Sequence, residues 1–392
     1  MKRWPTKLLG DVAQVTAGDP APQRPEDFAE DGVPFVRMQD VGRLGQSTCL
    51  AETKDRLSPS ASARLKRFPA GSILVPKSGA SIRLNHRAIL GIEAHVVSHL
   101  AVIVPFPLLN THFAYYWLCG TDLSGVAHQA DLPSMKTSDL AKLQLPVPPL
   151  AEQERIVKLL DEADELRKLR AQADCYTDAL IPSLFHEMFG DPDSNPKGWP
   201  VKTLEQLAER LHQGINTAAD KVQYQSSGYP ILQAKHITSG YIEIGDARFV
   251  SAEDFAKYKD RHRPSSGNIL FTNIGTIGKS VVVDQTSDFL VAWNIFLIAL
   301  QPDVSPLFIN TFLQLLDKRG FFTGRNTGSA TQFVSKRQMQ AIKIAVPPLP
   351  LQKQFAARVS EIRTLQAEQT ASRHRLDDLF QSMLHRAFTG AL

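Results

Sequence analysis

The stretch Val147-Pro-Pro-Leu-Ala-Glu-Gln-Glu-Arg-Ile156 has a second version further along, Val346-Pro-Pro-Leu-Pro-Leu-Gln352. Spaced apolar residues precede both: Leu140, Leu143, Leu145 and Val147 in the first, Met339, Ile342, Ile344 and Val346 in the second. Each run reads as a buried strand that meets two prolines. Proline lacks the N–H that a sheet ladder needs, so the chain leaves its domain at that point. The residues beyond the prolines are rich in Glu, Gln, Leu, Lys, Arg and Ala, so the same connector launches a helix twice.

Outward from these connectors the correspondence continues in order. Trp4-Pro5 returns as Trp199-Pro200, each followed by an apolar run and then a glycine, Gly18 or Gly214. Gly32-Val-Pro-Phe-Val36 matches Gly228-Tyr-Pro-Ile-Leu232, and Gly71-Ser-Ile-Leu74 matches Gly267-Asn-Ile-Leu270. Both Gly-x-Ile-Leu strands lead into a polar loop with a glycine and a cation, Gly79 with Arg83 and Gly275 with Lys279. Such duplication, sought before any motif, sets the architecture. It predicts an α+β chain: a first domain over 1–149, a helix over 150–190, a linker over 191–198, a second domain over 199–348 and a second helix over 349–392.

In the first helix Ile156, Leu159, Ala163 and Leu166 recur in steps of three and four, the mark of a coiled-coil seam, and the second shows Phe355, Val359 and Ile362. At 30 residues or more each helix reaches about 45 Å or more, beyond a 150-residue domain with a radius of gyration of about 15 Å. Each therefore needs a partner, and the other copy is the nearest candidate. Arg170 and Gln369 occupy equivalent places mid-seam, with Leu376 beyond. An antiparallel, pseudo-twofold pairing puts those polar midpoints together and penalises slipped registers. Pro182 is expected to end or kink the first helix.

Composition narrows the function classes. The 392 residues carry a net charge of +4 with 43% hydrophobic and 21% charged residues, an ordinary globular balance that permits a polyanionic partner. Basic residues cluster at Arg64, Lys66 and Arg67 and, in register, at Lys257, Lys259, Arg261 and Arg263. The three cysteines, Cys49, Cys119 and Cys175, have neither zinc nor disulfide spacing, which suits a reducing cytoplasm. The longest apolar stretch, Phe289–Leu300, is too short to span a bilayer, so no membrane is expected.

Motifs for catalysis fall short. Gly278-Lys279-Ser280 ends like a phosphate-binding loop, but Asn273 stands where the first glycine belongs. Val-Pro-Pro-Leu lacks the polar acceptor and stacking aromatic that an amino-methyltransferase uses on an extruded base. Asp191-Pro-Asp193 has no acidic and lysine companions for a nuclease, and His86, His95 and His99 lack metal-ligand spacing. No catalytic residue, metal or cofactor is expected in this chain.

Polar loops remain, with side chains that reach phosphates and base edges. The DNA-binding candidates are Lys77, Arg83, His86, Arg87 and Lys136 in the first copy, and Thr272, Asn273, Lys279, Arg325, Asn326, Gln332 and Lys336 in the second. The loops differ where the scaffolds agree: Pro76-Lys77-Ser78 replaces Thr272-Asn273-Ile274. Different loops on like scaffolds suggest different half-sites.

Two polar-looped domains, each ending in Val-Pro-Pro-Leu and feeding a long helix with Glu-Gln or Leu-Gln near its start, resemble the specificity subunit of type I restriction–modification enzymes over nearly the whole chain. The resemblance implies two target-recognition domains that read a bipartite site in double-stranded DNA, spaced by an antiparallel helix pair. It implies partners too: two methyltransferase subunits that bind S-adenosylmethionine and modify adenine, and restriction (translocase) subunits that use ATP with Mg. The alternative from the residues alone is a protein-interaction scaffold with a dimerising coiled coil. A stand-alone methyltransferase or nuclease ranks last.

Overall fold

In the computed structural model, which describes residues 4–44, 47–82, 84–123, 125, 134–284, 288–323 and 333–392, four helices organise the chain. They are α1 (Thr111–Cys119), α2 (Leu150–Phe189), α3 (Pro306–Lys318) and α4 (Leu349–Phe388). Both long helices begin beside the double proline, where a missing N–H costs nothing because the first turn has no intrahelical acceptor for it. Each ends on a left-handed glycine one or two residues on, Gly190 at φ +85° and Gly390 at φ +73°, the conformation that closes a helix without a Cβ penalty. Each helix is 40 residues long. Pro182 lies inside α2, and the helix continues through it to Phe189 instead of ending there.

The chain divides into two compact units, and each takes part of both long helices: residues 1–172 with 370–392 form the first, and 173–369 the second. In the first unit, among the described residues, a five-stranded sheet runs in the order Ala13–Ala17, Leu100–Pro105, Ile73–Pro76, Ala88–Leu90, Cys49–Leu50. A four-stranded sheet adds Asp55–Leu57, Phe28–Val36, Ala94–Val96 and Arg67–Phe68. The second unit repeats the first sheet with Ala208–Gln213, Ile295–Leu300, Ile269–Thr272 and Ser280–Val282, and pairs Arg248–Val250, Tyr229–Leu232 and Leu290–Val291 in another.

The spaced apolar run before each double proline is not one strand. Leu140 and Met339 sit on short helices, Thr137–Ala141 and Lys336–Gln340, and the strand is only Gln144–Pro146 or Lys343–Ala345. These short strands pair antiparallel with the start of their unit, Thr6–Leu8 and Val201–Thr203, so each unit's last strand is clasped to its first. Gly18 and Gly214 hold equivalent close approaches. A Cβ there would lie 1.9 Å from Val96 O or 2.1 Å from Val291 O, so only glycine fits.

One buried glutamine in each unit joins connector to domain. Gln153 accepts the Asn110 N–H on Oε1 (2.8 Å) and donates Nε2 to Pro148 O (2.8 Å) and Leu108 O (3.0 Å). Gln352 accepts the Ser305 N–H (2.9 Å) and donates to Pro347 O (2.7 Å). One side chain thus caps α1 or α3 and holds the double proline. Gln352→Leu strands a buried N–H and a carbonyl, and is expected to lower stability by about 1–3 kcal/mol, read as a lower urea midpoint.

Helix packing corrects the expected seam. Ile156, Ala163, Phe355 and Val359 are buried, but they enter the cores of the units together with α1 or α3. Leu160, fully buried, takes the place expected for half-buried Leu159, and Leu166 is 53% exposed. Arg170, Ile362, Gln369 and Leu376 are half-buried. Packing on the domain, rather than on one facing helix, selects a different stripe from a two-helix seam. Contacts between α2 and α4 within each unit nonetheless run in opposite chain directions. In the first unit Arg167 Nε bonds Asp377 Oδ1 (2.7 Å) and Arg155 bonds the carbonyl of Leu392 (3.1 Å). In the second, Thr177 Oγ1 donates to Gln369 Oε1 (2.7 Å), and Phe185 and Phe355 lie 5.7 Å apart.

The linker is bound to the second unit. Arg319, just after α3, reaches Asp191 (2.5 Å) and Asp193 (2.6 Å), and that guanidinium holds the Asp191 carboxyl well below the usual carboxylate range. A pair of buried histidines lies in the same unit. Burial pushes His262 down to about 4, and His212, 5.3 Å away, is lowered by the same cause. The unfolded chain takes up these protons from about pH 6.5 downward while the folded unit resists. Stability from this pair is therefore full above about pH 6.5 and lost as pH falls toward about 4. Unfolding midpoints between pH 7 and pH 4, with His262→Phe expected to flatten the slope, test this.

Candidate nucleic-acid interface

In each unit the chain following the central strand of the first sheet is fixed by the same backbone frame. After Ile73–Pro76, Lys77 N donates to His99 O (3.0 Å) and Lys77 O accepts Met135 N (2.8 Å). After Ile269–Thr272, Asn273 N donates to Asn294 O (3.2 Å) and Asn273 O accepts Val334 N (2.8 Å). Bridges Ser78↔Ser134 and Ile274↔Phe333 extend these contacts. The frame brings Lys77 near the start of the short helix that Lys136 precedes, and Asn273 near the one that Lys336 begins. Lys136 and Lys336 are exposed and Lys77 is half-buried. Arg83, Arg325, Asn326 and Gln332 lie outside the described residues.

The frame also displays residues that reading polar loops missed. Trp293 and Phe333 are 45% and 47% exposed and lie next to Asn294 and Val334, the residues that bond Asn273. Exposed aromatics beside a nucleic-acid surface can stack on bases or wedge between them. Their sequence signal is an aromatic with one polar neighbour, Asn294 or Gln332, which period-based reading assigns to a core. In the first unit Ser78 Oγ pairs with His99 Nδ1 (2.9 Å) on the equivalent frame.

Other candidates go elsewhere. Thr272 is fully buried, and its hydroxyl accepts the Lys279 N–H (2.9 Å), so it closes the 272–279 turn and faces no ligand. The Asn273 side chain is also fully buried, against its expected place at the DNA surface. Lys279 bonds Asp317 on α3 through Nζ (2.7 Å), and Asp317 fits because Gly278 leaves room. Lys279 lines a cavity of about 360 Å³ with Asp178 and Gln366 of the long helices. Arg87 is 6% exposed, and burial lowers its pKa to about 10. With His86 it lines a cavity of about 520 Å³ against α2 and α4. The basic cluster of the first unit is ion-paired within the domain, Arg64 to Asp27, Lys66 to Asp19 and Arg67 to Glu93. Among the described residues no group of His, Cys, Asp and Glu is placed to hold a metal ion.

The sequence profile of the type I restriction modification DNA specificity domain matches residues 1–173 and again 196–372. The chain belongs to this family. It is similar, at 21% identity over 92% of its length, to the MjaIX specificity subunit of Methanocaldococcus jannaschii, of which it covers 87%. At 21% identity over 93% of its length it resembles the EcoKI specificity subunit of Escherichia coli, covering 83% of that chain.

Solved structures give the same fold. A chain from a type I restriction–modification system, studied for its complex assembly and conformational transition, superposes with a TM-score of 0.63 at 18% identity. All of the present chain and 99% of that one are covered. The type I S subunit from M. genitalium gives 0.54 at 14% identity, with 98% and 96% covered. As a specificity subunit the chain recognises DNA and is not the catalyst of its system. No helix among the described residues is long and apolar enough to cross a membrane.

Proposed function

We propose that this specificity subunit reads a bipartite, asymmetric site in duplex DNA, one half-site per unit, with α2 and α4 setting the distance between the halves. The observation that carries this reading is the equivalent backbone frame bearing different side chains: Lys77, Ser78 and His99 in one unit, Ile274 and Asn294 with exposed Trp293 and Phe333 in the other. Like frames dock alike, and unlike side chains read unlike bases. B-DNA repeats every 34–36 Å or so, so two readers on a helical spacer engage one face of the duplex across an unread gap. The partners in this reading are two methyltransferase subunits that supply S-adenosylmethionine, and restriction subunits that use ATP and Mg, in the cytoplasm.

The test is to express the chain with its methyltransferase subunit and map methylated adenines across a genome. Two short, unlike motifs at one fixed gap are expected; methylation without such a motif overturns the reading. Exposed Lys136 and Lys336 are the described candidates for phosphate contact, in place of paired Lys279. Lys136→Ala and Lys336→Ala are each expected to reduce the salt slope of DNA binding by about 0.9, measured between low and moderate salt on the assembled complex.

A further inference from the structure

The cavities lined by Arg87 and by Lys279 occupy equivalent places. Strand pairing aligns Leu74↔Ala88 with Leu270↔Val281, so His86 corresponds to Lys279 and Arg87 to Ser280. In the second unit the cation at this place is neutralised by the fold, because Lys279 meets Asp317 (2.7 Å). In the first unit the buried cation is Arg87, one residue further along than the counterpart of Lys279, and it is not neutralised. Arg87 Nη1 bonds His86 O (2.7 Å) and Nη2 bonds Asn85 Oδ1 (2.5 Å), both uncharged acceptors, and its buried Nε has no partner. Arg170 Nε, from α2 on the same cavity, is likewise buried and unpartnered.

Five cations line this cavity against two carboxylates, Asp164 and Asp377. Both carboxylates are already engaged, Asp164 by Arg167 (3.1 Å) and Lys168 (2.9 Å), and Asp377 by Arg167 (2.7 Å). A buried guanidinium without a counter-charge is costly, and an anion from outside relieves that cost. Guanidinium groups match the oxygens of phosphate in a planar, two-pronged geometry. The volume, about 520 Å³, is that of a small-molecule site.

We propose that the first unit's cavity binds a phosphate-type anion, held by Arg87 and Arg170, a site independent of the DNA-reading frame. The same chemistry has two sources, a small phosphorylated molecule and the DNA backbone, and competition separates them.

The experiment titrates inorganic phosphate into the full-length chain by calorimetry, with ionic strength held constant by chloride. Saturable binding at one site is expected. Arg87→Met and Arg170→Met should each weaken it about tenfold or more, as loss of a charge-assisted hydrogen bond does, while Lys279→Met leaves it unchanged. Arg170 lies on a helix, so its variant carries the test if Arg87→Met does not fold. Displacement by ADP and not by a short DNA duplex assigns the site to a small phosphorylated molecule, and displacement by the duplex assigns it to DNA phosphate. Absence of saturable binding, or binding that Arg170→Met leaves intact, overturns the proposal.

Discussion

Deleting residues 167–173 from α2 together with residues 373–379 from α4 is expected to shorten the gap between two methylated half-sites by about 3 base pairs and to leave the half-sites unchanged. Seven residues of helix span about 10.5 Å, and DNA rises about 3.4 Å per base pair. The two segments are matched. They remove both members of the Arg167–Asp377 ion pair and spare Thr177 and Gln369, while Ile156 and Leu160 on one side and Phe185 and Phe355 on the other keep their places in the cores. A seven-residue step preserves the stripe each helix presents. Methylome mapping of the shortened chain decides it: altered half-sites with the original gap would count against helices as the spacer.

Phe355→Ala should destabilise the second unit by about 3–5 kcal/mol, the usual cost of emptying a large buried aromatic site. Phe355 is fully buried, with ring centroids 5.7 Å from Phe185 and 5.1 Å from Phe189, and both of those rings also pack on Phe308 of α3. One residue thus joins the start of α4, the end of α2 and the domain. Hydrogen exchange should show the loss across 173–369 and spare the first unit, whose core contains none of these rings. Phe355→Leu, which keeps most of the volume, is expected to cost about 1.5 kcal/mol or less. Loss of protection spread evenly over both units would refute the assignment.

Proline and glycine made the architecture legible, because they act on the backbone where they stand. The double prolines mark the starts of α2 and α4, and Gly190 and Gly390 mark their ends. Gly18 and Gly214 were visible as repeat markers, though the reason for them, a carbonyl within 2.5 Å of where a Cβ would lie, exists only in three dimensions. The seam misread Leu159 and Leu166 because heptad spacing presumes one facing helix, whereas Leu160 and Ala163 face α1 and a sheet as well. The loop candidates failed differently. Polar residue type does not distinguish Thr272, turned inward onto Lys279, from Lys336, turned to solvent, and Trp293 and Phe333 were overlooked because aromatics usually fill cores.

The division of the chain also orders its assembly on the ribosome. The second unit, 173–369, is one uninterrupted stretch, but the first keeps a space for Phe380, Leu384 and Ala387, which follow the whole of the second unit in the chain. Domains fold as units as their residues emerge. The unit that begins first is therefore completed second, and its core, including Phe113 and Tyr116 of α1, waits partly open until residues 370–392 have emerged.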